Sequence, residues 1–210
     1  MEQLDAEFKY FKDKFMQVKT DYNMSFTTGG LLEKESRIFA NEYFQVKDWK
    51  TASQHVQDEN LFQYRTLVAT KRILQELKAR FSYLNEDALQ LIVSGFPNET
   101  QQMLWFAICQ KHKFISDFVK EVIKEKYLIG QFELENYDFD AFYNKKMLEY
   151  PSLEKITDGS RYKLKQVLFK MLREVGILNS QNFIQAVIPT QRVLQIINNH
   201  APQYLGIFTN

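Results

Sequence analysis

Basic side chains cluster on two amphipathic segments of this 210-residue chain. In each segment the apolar residues recur at the three-and-four spacing that forms one stripe of a helix, and the cations lie off that stripe. The first set is Arg161, Lys163, Lys165, Lys170 and Arg173, and the second is Lys71, Arg72, Lys78 and Arg80. Ammonium and guanidinium groups neutralise phosphates, so both segments, with Arg192 as a further cation, predict contact with a nucleic acid.

Helical spacing does not place the whole first set on one strip. Lys163, Lys170 and Arg173 align with one another better than Arg161 and Lys165 align with them. Binding to one duplex further requires that the two basic segments, which are distant in the chain, face the same side of the folded molecule. We expect this convergence, but spacing along the chain does not establish it.

The net charge of +1 conceals a local imbalance. Residues 160–210 carry six basic side chains against one acidic, whereas residues 127–159 carry seven acidic against three basic. The acidic segment includes Glu133, Glu135, Asp138 and Asp140, which alternate instead of clustering like a calcium loop. We interpret it as a solvated surface; alternatively, it meets a basic surface of a partner or of this protein.

Residues that could support catalysis or bind a metal are few. His55, His112 and His200 are far apart and have no metal-ligand spacing, and no glycine-rich phosphate loop is present. Cys109 falls in a nearly all-apolar segment, where a buried structural thiol is expected. We therefore expect no enzymatic activity, no cofactor and no metal.

The single cysteine and the absence of a recognisable signal peptide fit a protein of the reducing cytoplasm. The longest apolar run covers only residues 103–109. A membrane-spanning helix needs about 20 apolar residues, so we expect no membrane association.

The elements that would position these side chains are predicted to be helices, because glycine and proline are scarce. We predict an all-α, compact multi-helix fold, with a helical domain at 1–130 and a second at 131–210. Expected helix caps are Asp48, Asn85, Asn98, Thr157 or Ser160, and Gly176 after the basic helix. Residues 138–199 read as helix, basic helix, short hairpin around 179–182 and helix, which resembles a winged helix.

The segment 22–30 (YNMSFTTGG) is a predicted loop. Asn23, Ser25 and Thr27 could donate hydrogen bonds to a phosphate or a base edge. Such residues more often cap the following helix, so we predict a capping role here.

Five separated blocks resemble the BrxA family, the small helical component of BREX bacteriophage-exclusion systems. They are residues 22–32 (YNMSFTTGGLL); Trp49 through 59–61 (ENL) to Arg65 and 70–74 (TKRIL); 104–109 (LWFAIC) with Phe118 and Lys126; 137–139 (YDF) with Phe142; and 163–178 (KLKQVLFKMLREVGIL). The blocks span about residues 22–200 in the order found in the family.

The resemblance implies an all-helical protein without catalytic activity that binds double-stranded DNA and works beside a DNA methyltransferase, an ATPase and other BREX components. It also implies RNA as an alternative ligand, because the family is similar to helical RNA-binding antitermination proteins. Members have been described as inner-membrane proteins, which the lack of a spanning segment contradicts. A protein–protein adaptor role, supported by the acidic segment, is the other alternative.

Overall fold

The computed structural model describes residues 21–209, so the helix predicted for residues 1–20 lies outside the described part. Residues 21–209 form α-helices connected by turns, by longer loops such as 175–190, and by two 3₁₀ segments, Pro151–Lys155 and Pro202–Ile207. The helices are α1 Glu33–Val46, α2 Trp49–Asp58, α3 Leu67–Phe81, α4 Glu86–Ser94, α5 Pro97–Lys111, α6 Lys113–Phe118, α7 Lys124–Leu128, α8 Asn136–Met147, α9 Asp158–Glu174 and α10 Gln191–His200. A π-helical segment, Val119–Ile123, connects α6 to α7. The all-α prediction is confirmed.

Several helix ends follow directly from local sequence. The side chains of Asp48, Asn85 and Thr157 accept backbone N–H bonds at the starts of α2, α4 and α9, as predicted. Gly176 follows α9 with a φ of 83°, the left-handed conformation expected of a residue just past a helix end. The prediction for Asn98 is wrong: α5 begins one residue earlier at Pro97, and Glu99 accepts a bond from the backbone N–H of Phe96.

Helix α5 runs through the interior. Its residues from Thr100 onward are almost continuously buried, including a fully enclosed Trp105 whose indole N–H donates to the carbonyl of Ile207 at 3.0 Å. Helices α3, α4 and α6 pack against α5, and one apolar cluster includes residues from both halves of the chain. The predicted domain division at residue 130 remains a prediction.

The predicted hairpin is present in minimal form. Leu178 pairs with Ile184 as a single antiparallel bridge across the turn at 179–182, and Phe183 forms a second bridge with Glu133 from the segment before α8. Within residues 21–209 these are isolated bridges and not longer strands, so the all-helical assignment holds. The winged-helix arrangement is not confirmed.

Candidate nucleic-acid interface

The loop of residues 27–32, hereafter the central loop, is hydrogen-bonded to both basic helices, α3 and α9. From α3, Arg72 donates to the hydroxyl of Thr28 through Nε at 3.1 Å and Nη2 at 2.9 Å. From α9, Glu174 accepts the backbone N–H of Leu31 at 2.5 Å. Helices that lie far apart in the chain are therefore held against the same short loop.

Arg80 holds the central loop in place through hydrogen bonds made from the protein interior. Its Nη1 donates to the carbonyls of Gly30 at 2.9 Å and Leu31 at 3.2 Å, and its Nε contacts Glu76 at 2.8 Å. Lys111 pairs with the same carboxylate at 2.7 Å. Burial raises the pKa of Glu76, but the charges of Arg80 and Lys111 outweigh it and hold that pKa below its usual value. The group is a buried structural ion network.

This network corrects one predicted contact. The sequence places Arg80 among the phosphate-binding residues because it lies off the apolar stripe, yet its side chain is fully enclosed. A guanidinium that is inaccessible to solvent does not reach a phosphate outside. Its charge is instead used inside the protein, where an unpaired buried cation would be strongly destabilising.

Two pockets that share Gly29, Tyr64 and Ile73 lie along the central loop between α3 and α9, and together we call them the loop cleft. Its first compartment, the basic pocket of about 440 Å³, is lined by Thr27, Thr28, Gly29, Tyr64, Ala69, Arg72, Ile73 and Lys163. It therefore brings together one cation from each basic helix. Arg72 and Lys163 are the cations of the two basic helices that line this pocket together, whereas convergence of the whole basic surfaces stays a prediction.

The second compartment, the acidic pocket of about 610 Å³, shares Gly29, Tyr64 and Ile73 with the first. Its remaining lining is Gly30, Leu31, Leu32, Glu33, Glu35, Gln101, Lys170 and Glu174. Lys170 is half exposed and lies 3.6 Å from Glu174. The hydroxyl of Tyr64 donates to Glu35 at 2.8 Å, and burial, followed by this carboxylate, raises the pKa of Tyr64 to about 12.

Two cations of α9 turn away from the loop cleft, as helical spacing predicts. Arg161 and Lys165 both pair with Asp140 of α8, at 3.3 and 3.0 Å. Arg161 also lies over the ring of Tyr143, 4.3 Å from its centroid. The acidic segment thus meets a basic surface of the same protein, one of the alternatives that its composition left open.

The other predicted cations are on the surface in different settings. Lys71 and Lys78 are exposed on α3, and the described residues show no ion pair for either. Arg173 is exposed and donates to the side chain of Asn182 at 2.8 Å. Arg192 is more than half exposed but pairs with the buried Glu99 at 3.1 Å.

The predicted capping role of Asn23, Ser25 and Thr27 is wrong. Helix α1 begins at Glu33 after a left-handed Leu32 that provides no side-chain cap. Asn23 instead accepts the backbone N–H of Ser25. Sequence reasoning also missed Thr28, Tyr64 and Glu174 as residues of the cleft; the paired glycines at 29–30 were the available signal that another group approaches the backbone there.

Other chemically capable groups lie inside the protein. Cys109 is fully buried, which raises the pKa of its thiol well above the usual value. His112 is also enclosed, and burial lowers its pKa to about 4.

No group of three or more metal-binding side chains occurs among residues 21–209. In the same range, none of the helices has both the length and the apolar character of a membrane span.

The chain is similar to known proteins over most of its length. It is 28% identical over 172 residues to a BREX protein BrxA from Escherichia coli O9:H4 (strain HS), covering 80% of this chain and 81% of that protein. It is also 28% identical over 148 residues to a BREX protein BrxA from Bacillus cereus (strain H3081.97), covering 70% and 72%.

A solved structure of an uncharacterized protein from Magnetospirillum magneticum shares the fold. Its TM-score is 0.76 at 18% identity, and the match covers 90% of this chain and 99% of that one. The BrxA family model matches residues 20–201. The chain therefore belongs to the BrxA family.

Proposed function

We propose that this protein is a non-enzymatic, double-stranded DNA-binding component of a BREX phage-defence system. The observation that carries the proposal is that Arg72 of α3 and Lys163 of α9 line one pocket beside the hydroxyl of Thr28. Arginine and lysine supply charge to a phosphate, and the threonine hydroxyl orients the guanidinium. The sugar-phosphate backbone is the polymer that this combination fits.

The contact surface is smaller than the sequence predicted. Arg80 is buried, Arg161 and Lys165 are engaged with Asp140, and Arg192 pairs with Glu99. The cations proposed to meet the duplex are therefore Lys71, Arg72, Lys78, Lys163, Lys170 and Arg173. Because such contacts position a duplex without reading its bases, binding should show little sequence preference.

A salt titration with purified protein tests this proposal. Fluorescence anisotropy is measured with duplex DNA, single-stranded DNA and folded RNA between about 50 and 200 mM salt. We expect duplex binding whose log affinity falls with log salt at a slope of about −0.9 for each phosphate neutralised. Tighter binding to folded RNA would assign the surface to RNA, and no duplex binding at about 50 mM salt would refute the proposal.

An adaptor role remains the second candidate, and the observation that favours it lies elsewhere. Leu128 and Ile129 are 69% and 67% exposed at the end of α7, next to the exposed Phe132. Adjacent exposed apolar side chains often mark protein contacts. Such a surface would serve other BREX components, including the methyltransferase and the ATPase. Nuclease-resistant co-purification that is lost in Leu128→Ser/Ile129→Ser would support it.

A further inference from the structure

The loop cleft has opposite charge at its two ends. Arg72 and Lys163 line the basic pocket, which contains no acidic side chain. The acidic pocket contains Glu33, Glu35 and Glu174 against the single cation Lys170. A polyanion alone would be attracted to the first end and repelled from the second, so a purely phosphate ligand does not fill the cleft.

The carboxylates of the acidic pocket retain capacity to accept hydrogen bonds. Glu33 pairs with Arg37 at 3.5 Å and accepts from the amide of Gln101 at 3.0 Å, and Glu35 accepts from Tyr64 at 2.8 Å. Each carboxylate offers about four lone-pair sites, so further N–H donors can be accommodated. Gln101 adds an amide, which can both donate and accept.

The wall common to both pockets is largely apolar. Tyr64 and Ile73 face both compartments, and Leu31 and Leu32 extend the apolar lining into the acidic pocket. An aromatic ring at the junction provides a surface on which a planar heterocycle can stack. The two volumes lie in the range of about 300–1,000 Å³ that is typical of small-molecule sites.

We propose that the loop cleft binds one unpaired nucleotide, with its phosphate in the basic pocket and its base in the acidic pocket against Tyr64. Arg72 and Lys163 donate to the phosphate oxygens. Glu33 or Glu35 accepts from an amino group on the edge of the base, as carboxylates do with cytosine N4. The nucleotide has two possible sources: an unpaired position in the DNA that the proposed function brings to this surface, or a free mononucleotide.

A basic protein segment is the competing occupant of the acidic pocket. A lysine or arginine side chain matches its charge, but the same segment would place positive charge beside Arg72 and Lys163. A nucleotide carries an anion at one end and hydrogen-bond donors at the other, and it therefore matches both pockets. A nucleotide is therefore the occupant that matches the charges of both pockets.

The test uses the full chain and a DNA hairpin that carries a single unpaired 2-aminopurine, with a fully paired hairpin as reference. We expect about tenfold tighter binding to the bulged hairpin and a fall in 2-aminopurine emission, because a base that stacks on an aromatic side chain adds affinity and has its fluorescence quenched. The variant Tyr64→Ala should lose the preference, whereas Tyr64→Phe should retain it. Tyr162→Ala, which removes an exposed tyrosine outside the cleft, should behave as the unaltered protein.

Competition separates the two sources. If free deoxyadenosine or deoxycytidine monophosphate displaces the bulged hairpin, the cleft accepts free nucleotides; a bulge preference without such displacement assigns it to unpaired DNA positions. Equal affinity for both hairpins, unchanged emission and no mononucleotide binding would overturn the inference while leaving duplex binding intact. Direct binding of an arginine-containing peptide to the protein, together with equal affinity for the two hairpins, would also overturn it. Mononucleotide binding without duplex binding would retain the cleft and refute the proposed function.

Discussion

Glu174 closes the end of α9 onto the central loop by accepting the backbone N–H of Leu31 at 2.5 Å. Its carboxylate lies so close to Gly30 that a Cβ at that position would clash with both carboxylate oxygens. A side chain at this position would therefore push the Glu174 carboxylate away from Leu31, whereas glycine leaves room for it. The same carboxylate lies beside Lys170, so this contact couples the backbone of the loop to a cation of the proposed interface.

Substitution of Gly30 should therefore loosen the loop. In Gly30→Ala the new methyl group displaces Glu174, and the lost hydrogen bond is expected to reduce the free energy of unfolding by about 1–3 kcal/mol. Urea denaturation followed by circular dichroism measures the change.

Gly159→Ala is the matched control, because nothing lies within 4 Å of its added Cβ and it occupies the first turn of α9. That variant should be neutral or stabilised by up to about 1 kcal/mol. Equal destabilisation by both substitutions would show that the contact between Glu174 and Gly30 is not the cause.

Arg80 should behave as a structural residue. Arg80→Met leaves the carbonyls of Gly30 and Leu31 without their donor and removes one partner of Glu76. Breaking a buried pair in this way is expected to lower the free energy of unfolding by about 3–5 kcal/mol. Lys78→Met, an exposed change on the same helix, should stay within about 0.5 kcal/mol of the unaltered protein. Similar urea midpoints for the two variants would contradict the buried network.

The buried His112 should make the folded protein less stable as the pH falls. Burial lowers its pKa to about 4 in the folded protein, below the ordinary value of 6.5, so the unfolded chain takes up the proton first as the pH falls. Stability should therefore decrease between about pH 6.5 and pH 4, by on the order of 3 kcal/mol. His112→Gln should have a flatter stability profile across this window, whereas His200→Gln, at an exposed position, should follow the unaltered protein. Parallel profiles for His112→Gln and the unaltered protein would contradict a buried neutral imidazole.

Local features of the fold were readable from sequence. Asp48, Asn85 and Thr157 cap helices because a short polar side chain reaches N–H groups two or three residues away, and neighbouring sequence suffices to identify them. The division of the α9 cations followed from helical spacing alone. Arg161 and Lys165 turn to Asp140, while Lys163 faces the basic pocket.

Long-range partners were not readable in the same way. Arg80 and Lys78 have the same character in the sequence, and the difference arises from Glu76 together with two carbonyls nearly fifty positions away. Thr28 belongs to the interface only because Arg72 folds onto it. Helical periodicity separates core from surface, but it does not reveal which polar side chains have internal partners.

If Arg72 and Lys163 contact one DNA ligand together, a double-mutant cycle on duplex affinity will show coupling between them. Arg72→Gln and Lys163→Gln should each weaken binding and reduce the salt slope by about 0.9, and their affinity losses should be coupled by at least about 0.5 kcal/mol. Lys165→Gln, a change on the same helix at a cation engaged with Asp140, should keep the original slope. Additive losses, or a slope lowered equally by Lys165→Gln, would contradict a shared site between the two basic helices.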